Sequence, residues 1–231
     1  MTDERSTRDA LEERLPKRWP ATVSRPGLSP RDRYLGSIMA SVVTGQFRAL
    51  SFLLQEAGDE SLSATEKHEI LLQAVLFAGY PKALTAFDVL SRIEGEDASP
   101  PKDPEATVDP ANWPIRGHEL FFAIYGKTAP AVLERLAGHH PALPDWILRD
   151  AYGRVLSRTG LSPQDRELAA VAALTVSRLP EQLYSHARGA LRLGALSTAV
   201  SEMILQMALH VPQEWIREAK ATCTKLLTSP K

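Results

Sequence analysis

Two side chains in the second half of the chain, Glu167 and His186, have the types that acid–base chemistry requires. A carboxylate that hydrogen-bonds an imidazole orients the ring and raises its basicity, so such a pair can relay a proton. Glu167 lies in the first turn of one predicted helix, and His186 lies inside the next, within PEQLYSHARGALRLG. Two adjacent antiparallel helices would bring both side chains into one crevice. A carboxylate near a helix N-terminus and a single helical histidine also occur for structural reasons alone.

An internal repeat favours the chemical interpretation. The sequence Ser-Arg-x-Gly-Leu-Ser-Pro-x-Asp-Arg occurs at Ser24–Arg33 and again, 133 positions later, at Ser157–Arg166. Such self-similarity indicates a tandem duplication of a helical unit. At this offset the first copy has an aromatic and an aliphatic residue, Tyr34 and Leu53, where the second has the acid and the imidazole. We therefore expect the second copy to carry any site.

Each repeated motif also predicts the start of a helix. Ser29 and Ser162 can cap it, the following proline suits the first helical position, and the aspartate three residues on can return a capping bond. Helical periodicity continues through both copies, and no segment alternates as a half-buried strand does. The predicted class is all-α, with helices at 29–45, 46–57, 63–79 and 81–93, and at 162–177, 180–193, 197–209 and 212–227.

Four regions follow from the composition along the chain. Residues 1–26 form a charged N-terminal arm, 27–93 the first helical unit, 94–114 a proline-rich linker, and 115–231 the second unit. Within that second unit, residues 117–158 have no counterpart in the first copy. They predict two helices, broken near 138–144, that cover the second unit or dock onto a partner.

Overall composition limits the possible functions. A net charge of −1 without a basic stripe disfavours nucleic-acid binding. Neither an apolar run of the ~18 residues that span a membrane nor a signal-peptide core is evident, so we expect no membrane partner and a cytoplasmic location. The single cysteine, Cys223, excludes an intrachain disulfide and a Cys-x-x-Cys redox centre, and predicts a small apolar filler.

Other polar groups are weaker candidates. Glu202, Gln206 and His210 lie four apart on one helix face and could bind a polar ligand, although a solvated face is favoured. Glu69 is likewise expected to face solvent. Phosphate loops, serine-hydrolase elbows and zinc-protease motifs are missing from the sequence, so we expect neither a cofactor nor a metal.

The run GLSPQDRELAAVAALTV, followed by PEQLYSHARGALRLGALS and SEMILQMA, resembles the carboxymuconolactone decarboxylase and alkylhydroperoxidase D-like superfamily. EILLQAVLFAGYPKALTAF of the first copy is similar to the same family's closing segment, with its Gly-x-Pro junction. The resemblance covers about 27–93 and 117–227. It implies tandem all-α units, trimers or hexamers, and pockets between helices and subunits.

In the peroxidase branch that this chain resembles, a glutamate precedes a Cys-x-x-Cys-x-x-x-His stretch. The glutamate and histidine match Glu167 and His186, but the cysteine positions hold Leu179 and Gln182. Leucine and glutamine form no thiolate, so peroxide reduction by that mechanism is excluded. The first copy lacks all four groups and is expected to be a degenerate structural partner; its residues there are Tyr34, Gln46, Ala49 and Leu53.

The cysteine-free branch is similar to a lactone decarboxylase that releases carbon dioxide from a carboxylated muconolactone without a cofactor. That resemblance implies that His186 donates a proton to carbon and that Glu167 orients it. Gln182, His210 and Arg188 are the predicted substrate-binding residues, although Arg188 points away from His186 on a helix.

Two functions stay open on the sequence alone. An acid–base lyase predicts that Glu167 and His186 line one solvent-reachable pocket with a perturbed imidazole pKa. A non-catalytic, oligomeric small-ligand-binding protein predicts a closed or purely apolar cavity. A thiol peroxidase would require Cys223 to reach the pocket of a partner subunit.

Overall fold

The computed structural model describes residues 2–95 and 97–228, and all regular elements in these ranges are helical. The all-α prediction is confirmed. A π-helix, Ile147–Leu156, continues directly from α7, and short 3₁₀ turns lie at 110–112, 126–128 and 207–209. The α-helices are α1 Thr2–Val23, α2 Pro30–Thr44, α3 Phe47–Ser61, α4 Ala64–Glu94, α5 Trp113–Tyr125, α6 Ala129–His139, α7 Leu143–Trp146, α8 Pro163–Val176, α9 Pro180–Arg192, α10 Ser197–Gln206 and α11 Gln213–Thr228.

The predicted helix starts are confirmed at the repeated motifs. The Ser29 hydroxyl accepts a hydrogen bond from the backbone N–H of Asp32 at 3.1 Å. Ser162 and Asp165 form a full capping box, each side chain bonding the backbone N–H of the other. The predicted break within α4 is also present, because Gly79 has φ 74° and leaves the helical conformation.

The N-terminal arm and the linker are both packed against the helices. The N-terminal arm includes α1, whose Trp19 is buried with its ring centroid 4.9 Å from that of Tyr34. In the linker, the Glu105 carboxylate accepts a hydrogen bond from the backbone N–H of Thr159 at 2.8 Å. Contacts with residues distant along the chain therefore hold both segments in place. The composition of the segments alone does not predict such contacts.

Each copy of the repeat binds the last arginine of the other copy's motif. Arg33 is fully buried, and it donates to Glu202 at 2.9 Å and to Gln206 at 3.2 Å. These two acceptors belong to α10, the third helix of the second copy. The expectation that Glu202, Gln206 and His210 form a solvated face is therefore wrong for Gln206 and His210, which are buried.

The reciprocal contact has the same form. Arg166 donates to Glu69 at 2.6 Å and to Gln73 at 3.3 Å, and those acceptors lie 133 positions before their counterparts in α10. Glu69 also binds Arg158 and is 2% exposed, so the prediction of a solvent-facing Glu69 is wrong. We call the two sets of contacts the reciprocal clamps; they explain why the motif arginines occur in both copies.

The two copies share one hydrophobic core around α2 and α8. Residues 117–158 add a second apolar cluster, in which Phe121 and Ile124 of α5 pack with Tyr152 and Leu156 of the π-helix. This cluster lies beside α9, so the prediction that the inserted segment covers the second unit is confirmed. The segment breaks at 140–142, as predicted, and also at the 3₁₀ turn after α5.

Among the described residues, α4 alone is long and apolar enough to cross a membrane by length and composition. Its break at Gly79 and its buried Ile70, Leu71 and Ala74 are features of a helix inside a globular core. The absence of a membrane partner stays a prediction.

Candidate functional site

Glu167 and His186 form a direct pair between α8 and α9. The Glu167 Oε2 atom lies 3.0 Å from Nδ1 of His186. Glu167 is 1% exposed, whereas the His186 side chain is 13% exposed. Gly189 lies one turn after His186. Its lack of a side chain makes room for the Glu167 carboxylate, because a Cβ atom at this position would lie 2.5 Å from Oε2 of Glu167. The sequence prediction that the two helices bring acid and imidazole together is confirmed.

The electrostatics of the pair favour the protonated imidazole. Burial lowers the pKa of His186. The negative charge of Glu167 and its hydrogen bond together raise that pKa by more than burial lowers it, so the pKa lies above the ordinary histidine value. Because Nδ1 is bonded to Glu167, the ring nitrogen left for a bound molecule is Nε2. The pair can therefore give a proton from Nε2 or accept one there.

His186 lines a cavity of about 340 Å³ beside α9. Its ring meets that of Phe77, from the first copy, edge-on at a centroid distance of 6.3 Å. Most of the wall is apolar, with a few polar side chains at defined places, as is usual for small-molecule sites. The lining residues come from α4, α5, α6, the π-helix and α9: Leu76, Phe77, Phe121, Tyr125, Val132, Arg135, Leu136, Ile147, Ala151, Tyr152, Leu156, Glu181, Gln182, Ser185 and His186.

The structure brings together only part of the predicted site. Gln182 lines the cavity with His186, and Glu167 lies behind the histidine outside the lining. The assignment of His210 and Arg188 to the same pocket needs correction, since both lie outside this lining. Arg188 instead donates to the Thr128 hydroxyl at 3.1 Å.

His210 is buried in the core, where it contacts another side chain of the protein. Its side chain is 1% exposed, and Nδ1 lies 3.0 Å from Oε1 of Gln46. Without a charged partner, burial lowers the pKa of His210 to about 3, so the ring stays neutral. Gln46 lies 164 positions away along the sequence, so this partner could not be foreseen, and an exposed helix face was the wrong interpretation.

Five polar lining residues were missed by the sequence analysis: Tyr125, Arg135, Tyr152, Glu181 and Ser185. Tyr125 and Arg135 belong to the inserted segment, for which the first copy offers no residue to compare. Tyr152 lies near the end of the same segment, where the expectation of no counterpart is wrong. At the offset of 133 it corresponds to Trp19, so a change from indole to phenol was the available signal.

Cys223 is fully buried, and burial raises the pKa of its thiol to about 11. A neutral buried thiol is a poor nucleophile, so the prediction of an apolar filler is confirmed and a peroxidatic role lacks a thiolate. Across residues 2–95 and 97–228, no group of three or more His, Cys, Asp or Glu could hold a metal ion.

Comparisons with known proteins agree with this description of two tandem units. The sequence model of the carboxymuconolactone decarboxylase family matches residues 11–92 and 141–221, which together exceed half of the chain. The chain is also 27% identical over 195 residues to Peroxisomal protein 2 of Schizosaccharomyces pombe, covering 81% of this chain and 88% of the relative. With one matched segment in each copy of the repeat, the chain belongs to the carboxymuconolactone decarboxylase family.

Proposed function

We propose that this protein is a cofactor-free acid–base enzyme, a carboxy-lyase or a close relative, acting on a small carboxylated lactone. The observation that carries the proposal is the Glu167–His186 pair, with His186 on the wall of a cavity sized for a small molecule. A buried carboxylate holds the ring in one orientation and favours its protonated form, which suits a general acid.

In the proposed reaction, the bond between the substrate carboxylate and its carbon breaks, and carbon dioxide leaves. The electron pair stays on carbon and is delocalised into the lactone carbonyl. Nε2–H of His186 then gives its proton to that carbon, and solvent returns a proton to the imidazole. Glu167 keeps Nδ1 protonated throughout and offsets the charge of the imidazolium.

Arg135 is our candidate for holding the substrate carboxylate, in place of Arg188. It lines the cavity, and its Nη1 atom lies 3.9 Å from Oε2 of the exposed Glu181. An ion pair this long and exposed is weak, so a substrate carboxylate can replace Glu181. We expect Arg135→Met to raise KM about tenfold with little change in kcat, since an exposed charged contact acts mainly in binding. Steady-state kinetics measures both constants.

The direct test is carbon dioxide release from 4-carboxymuconolactone by the wild-type protein and by His186→Asn. The asparagine amide can keep a hydrogen bond to Glu167 but cannot donate a proton to carbon. We expect the variant to lose about 10²–10⁴-fold in rate while staying folded. Circular dichroism and a thermal melt check the fold.

Leu53→Met is the matched control, because it changes the corresponding position of the first copy at nearly constant volume. Its rate should equal that of the wild type. Equal rates for His186→Asn and the wild type would contradict the role of His186. Binding of the lactone by the wild type without carbon dioxide release would instead favour a non-catalytic ligand-binding protein.

We also propose that the chain forms a homo-oligomer, a trimer or hexamer, and acts in the cytoplasm. Large exposed apolar side chains, including Leu84, Trp146 and Leu196, support the assembly. Light scattering after gel filtration measures its mass. The name of the fission-yeast relative refers to the peroxisome, so fractionation of the source cells should include that organelle where it exists.

A further inference from the structure

Two phenol groups meet on the wall of the cavity. Tyr152, on the π-helix, donates a hydrogen bond from its hydroxyl to the hydroxyl oxygen of Tyr125, on α5, with the oxygens 3.3 Å apart. Both rings pack on Phe121, at centroid distances of 5.0 Å and 4.4 Å. The hydroxyl pair is therefore held from both sides by an apolar cluster.

The pair has one proton left for a third partner. Only one hydroxyl proton can lie between two oxygens, and Tyr152, the more buried of the two, uses its proton there. Within the part of the chain that the structure describes, the Tyr125 hydroxyl proton has no acceptor. A hydroxyl that accepts one hydrogen bond becomes a stronger donor of the next. The free donor thus belongs to a residue that lines the cavity.

Tyr125 lines the same cavity as His186. Burial raises the pKa of Tyr125, and the negative charge of Glu167 adds to the increase. Burial likewise raises the pKa of Tyr152 well above that of a free phenol, again with a contribution from Glu167. Both phenols therefore stay protonated at neutral pH, and neither can serve as a base. Toward a ligand, Tyr125 can therefore donate the hydrogen bond that Tyr152, whose proton is already used, cannot.

We infer that Tyr125 is the oxyanion donor of this site, binding the substrate oxygen on which negative charge develops, and that Tyr152 is a positioning residue that polarises it. The inference rests on the proposed function, because His186 must then act on the carbon and Tyr125 on the oxygen of one bound molecule. A phenol pre-aligned in an apolar site stabilises such charge more strongly in the transition state than in the ground state.

The probe is 4-nitrophenol, whose ionised form absorbs visible light and mimics an enolate oxygen on a planar ring. We expect the wild-type protein to bind the phenolate and Tyr125→Phe to bind it about 10²-fold more weakly. Tyr152→Phe should fall between them, because Tyr125 keeps its proton but loses its polarising partner. 4-Nitrotoluene, which has no oxygen at that position, should bind all three proteins equally.

Tyr34→Phe is the control, since this buried tyrosine of the first copy donates to the Glu56 carbonyl away from the cavity. It should bind the phenolate as the wild type does. Equal phenolate affinity for the wild type and a folded Tyr125→Phe, or no binding by either, would overturn the inference. Weakened binding by Tyr125→Phe together with no carbon dioxide release from the wild type would keep the oxyanion site and reject the proposed lyase reaction.

Discussion

The two copies of the repeat differ at one pair of corresponding positions. Buried side chains fill the core there in the first copy, whereas a cavity lies beside them in the second. In the first copy, Tyr34 packs against Trp19 and donates to a backbone carbonyl, and Leu53 is fully buried in the same core. In the second copy, Glu167 and His186 stand at the corresponding positions next to a cavity. The comparison teaches that the scaffold does not require polar groups here, because the first copy builds a stable core without them.

The contacts that join the two copies are alike. The reciprocal clamps use the same residue types at the same offset, with Arg33 bound by α10 and Arg166 bound by α4. The copies therefore differ at the site against a background of shared structure. A buried charged pair is often no more stabilising than well-packed apolar residues, so the fold alone does not account for the Glu167–His186 pair.

Breaking one clamp should have the largest effect on stability. Glu69→Gln leaves Arg166 and Arg158 without their buried partner, so we expect a loss of about 3–5 kcal/mol of unfolding free energy. Glu202→Gln should cost about 1–3 kcal/mol, because Glu202 is 18% exposed and water can replace part of the interaction. Urea denaturation of both variants measures the difference. Equal small losses would show that the clamps do not hold the copies together.

His210 and His186 should respond to pH in opposite directions. For His210, the folded-state pKa of about 3 lies below the ordinary value, so its contribution to stability is lost as pH falls below about 6.5. At pH 5 this loss amounts to about 2 kcal/mol for one proton. The stability difference between the wild type and His210→Asn should therefore be larger at pH 8 than at pH 5.

For His186 the sign is reversed. Its folded-state pKa is raised, so its contribution is fully present below the ordinary histidine value and is lost as pH rises through the folded-state pKa. The stability difference between the wild type and Glu167→Gln should shrink as pH rises above about 6.5. Denaturation series at several pH values measure both histidines. Parallel pH dependence for the His210→Asn and Glu167→Gln series would contradict the contrast between them.

The substitution Gly189→Ala should have a small effect on stability and a larger effect on activity. Gly189→Ala places a methyl group against the Glu167 carboxylate and 2.8 Å from a methyl carbon of Ile124. Both neighbours are side-chain atoms that can shift, so we expect a cost of about 1 kcal/mol. The displaced carboxylate should lower the rate about tenfold. A thermal melt and the carbon dioxide assay measure the two effects, and an unchanged rate would show that the position of Glu167 is unimportant.

Local chemistry made much of the fold predictable from the sequence. Capping serines, the proline after each of them, and Gly79 act over a few residues, and the helix ends follow them. The clamps were not predicted, because Arg33 and Glu202 meet only when the two copies pack. Comparison of the copies identified Glu167 and His186, but it could not identify Tyr125, whose segment occurs once.

The most direct test of the account is an NMR titration of the His186 ring in the wild type and in Glu167→Gln. It requires no knowledge of the substrate, and the spectrum of His186→Asn identifies the His186 signal. We predict a pKa above the ordinary value of about 6.5 in the wild type and a clear fall in Glu167→Gln, where burial acts without the opposing charge. A wild-type pKa at or below 6.5 that does not change in Glu167→Gln would contradict the central claim that Glu167 prepares His186 as an acid.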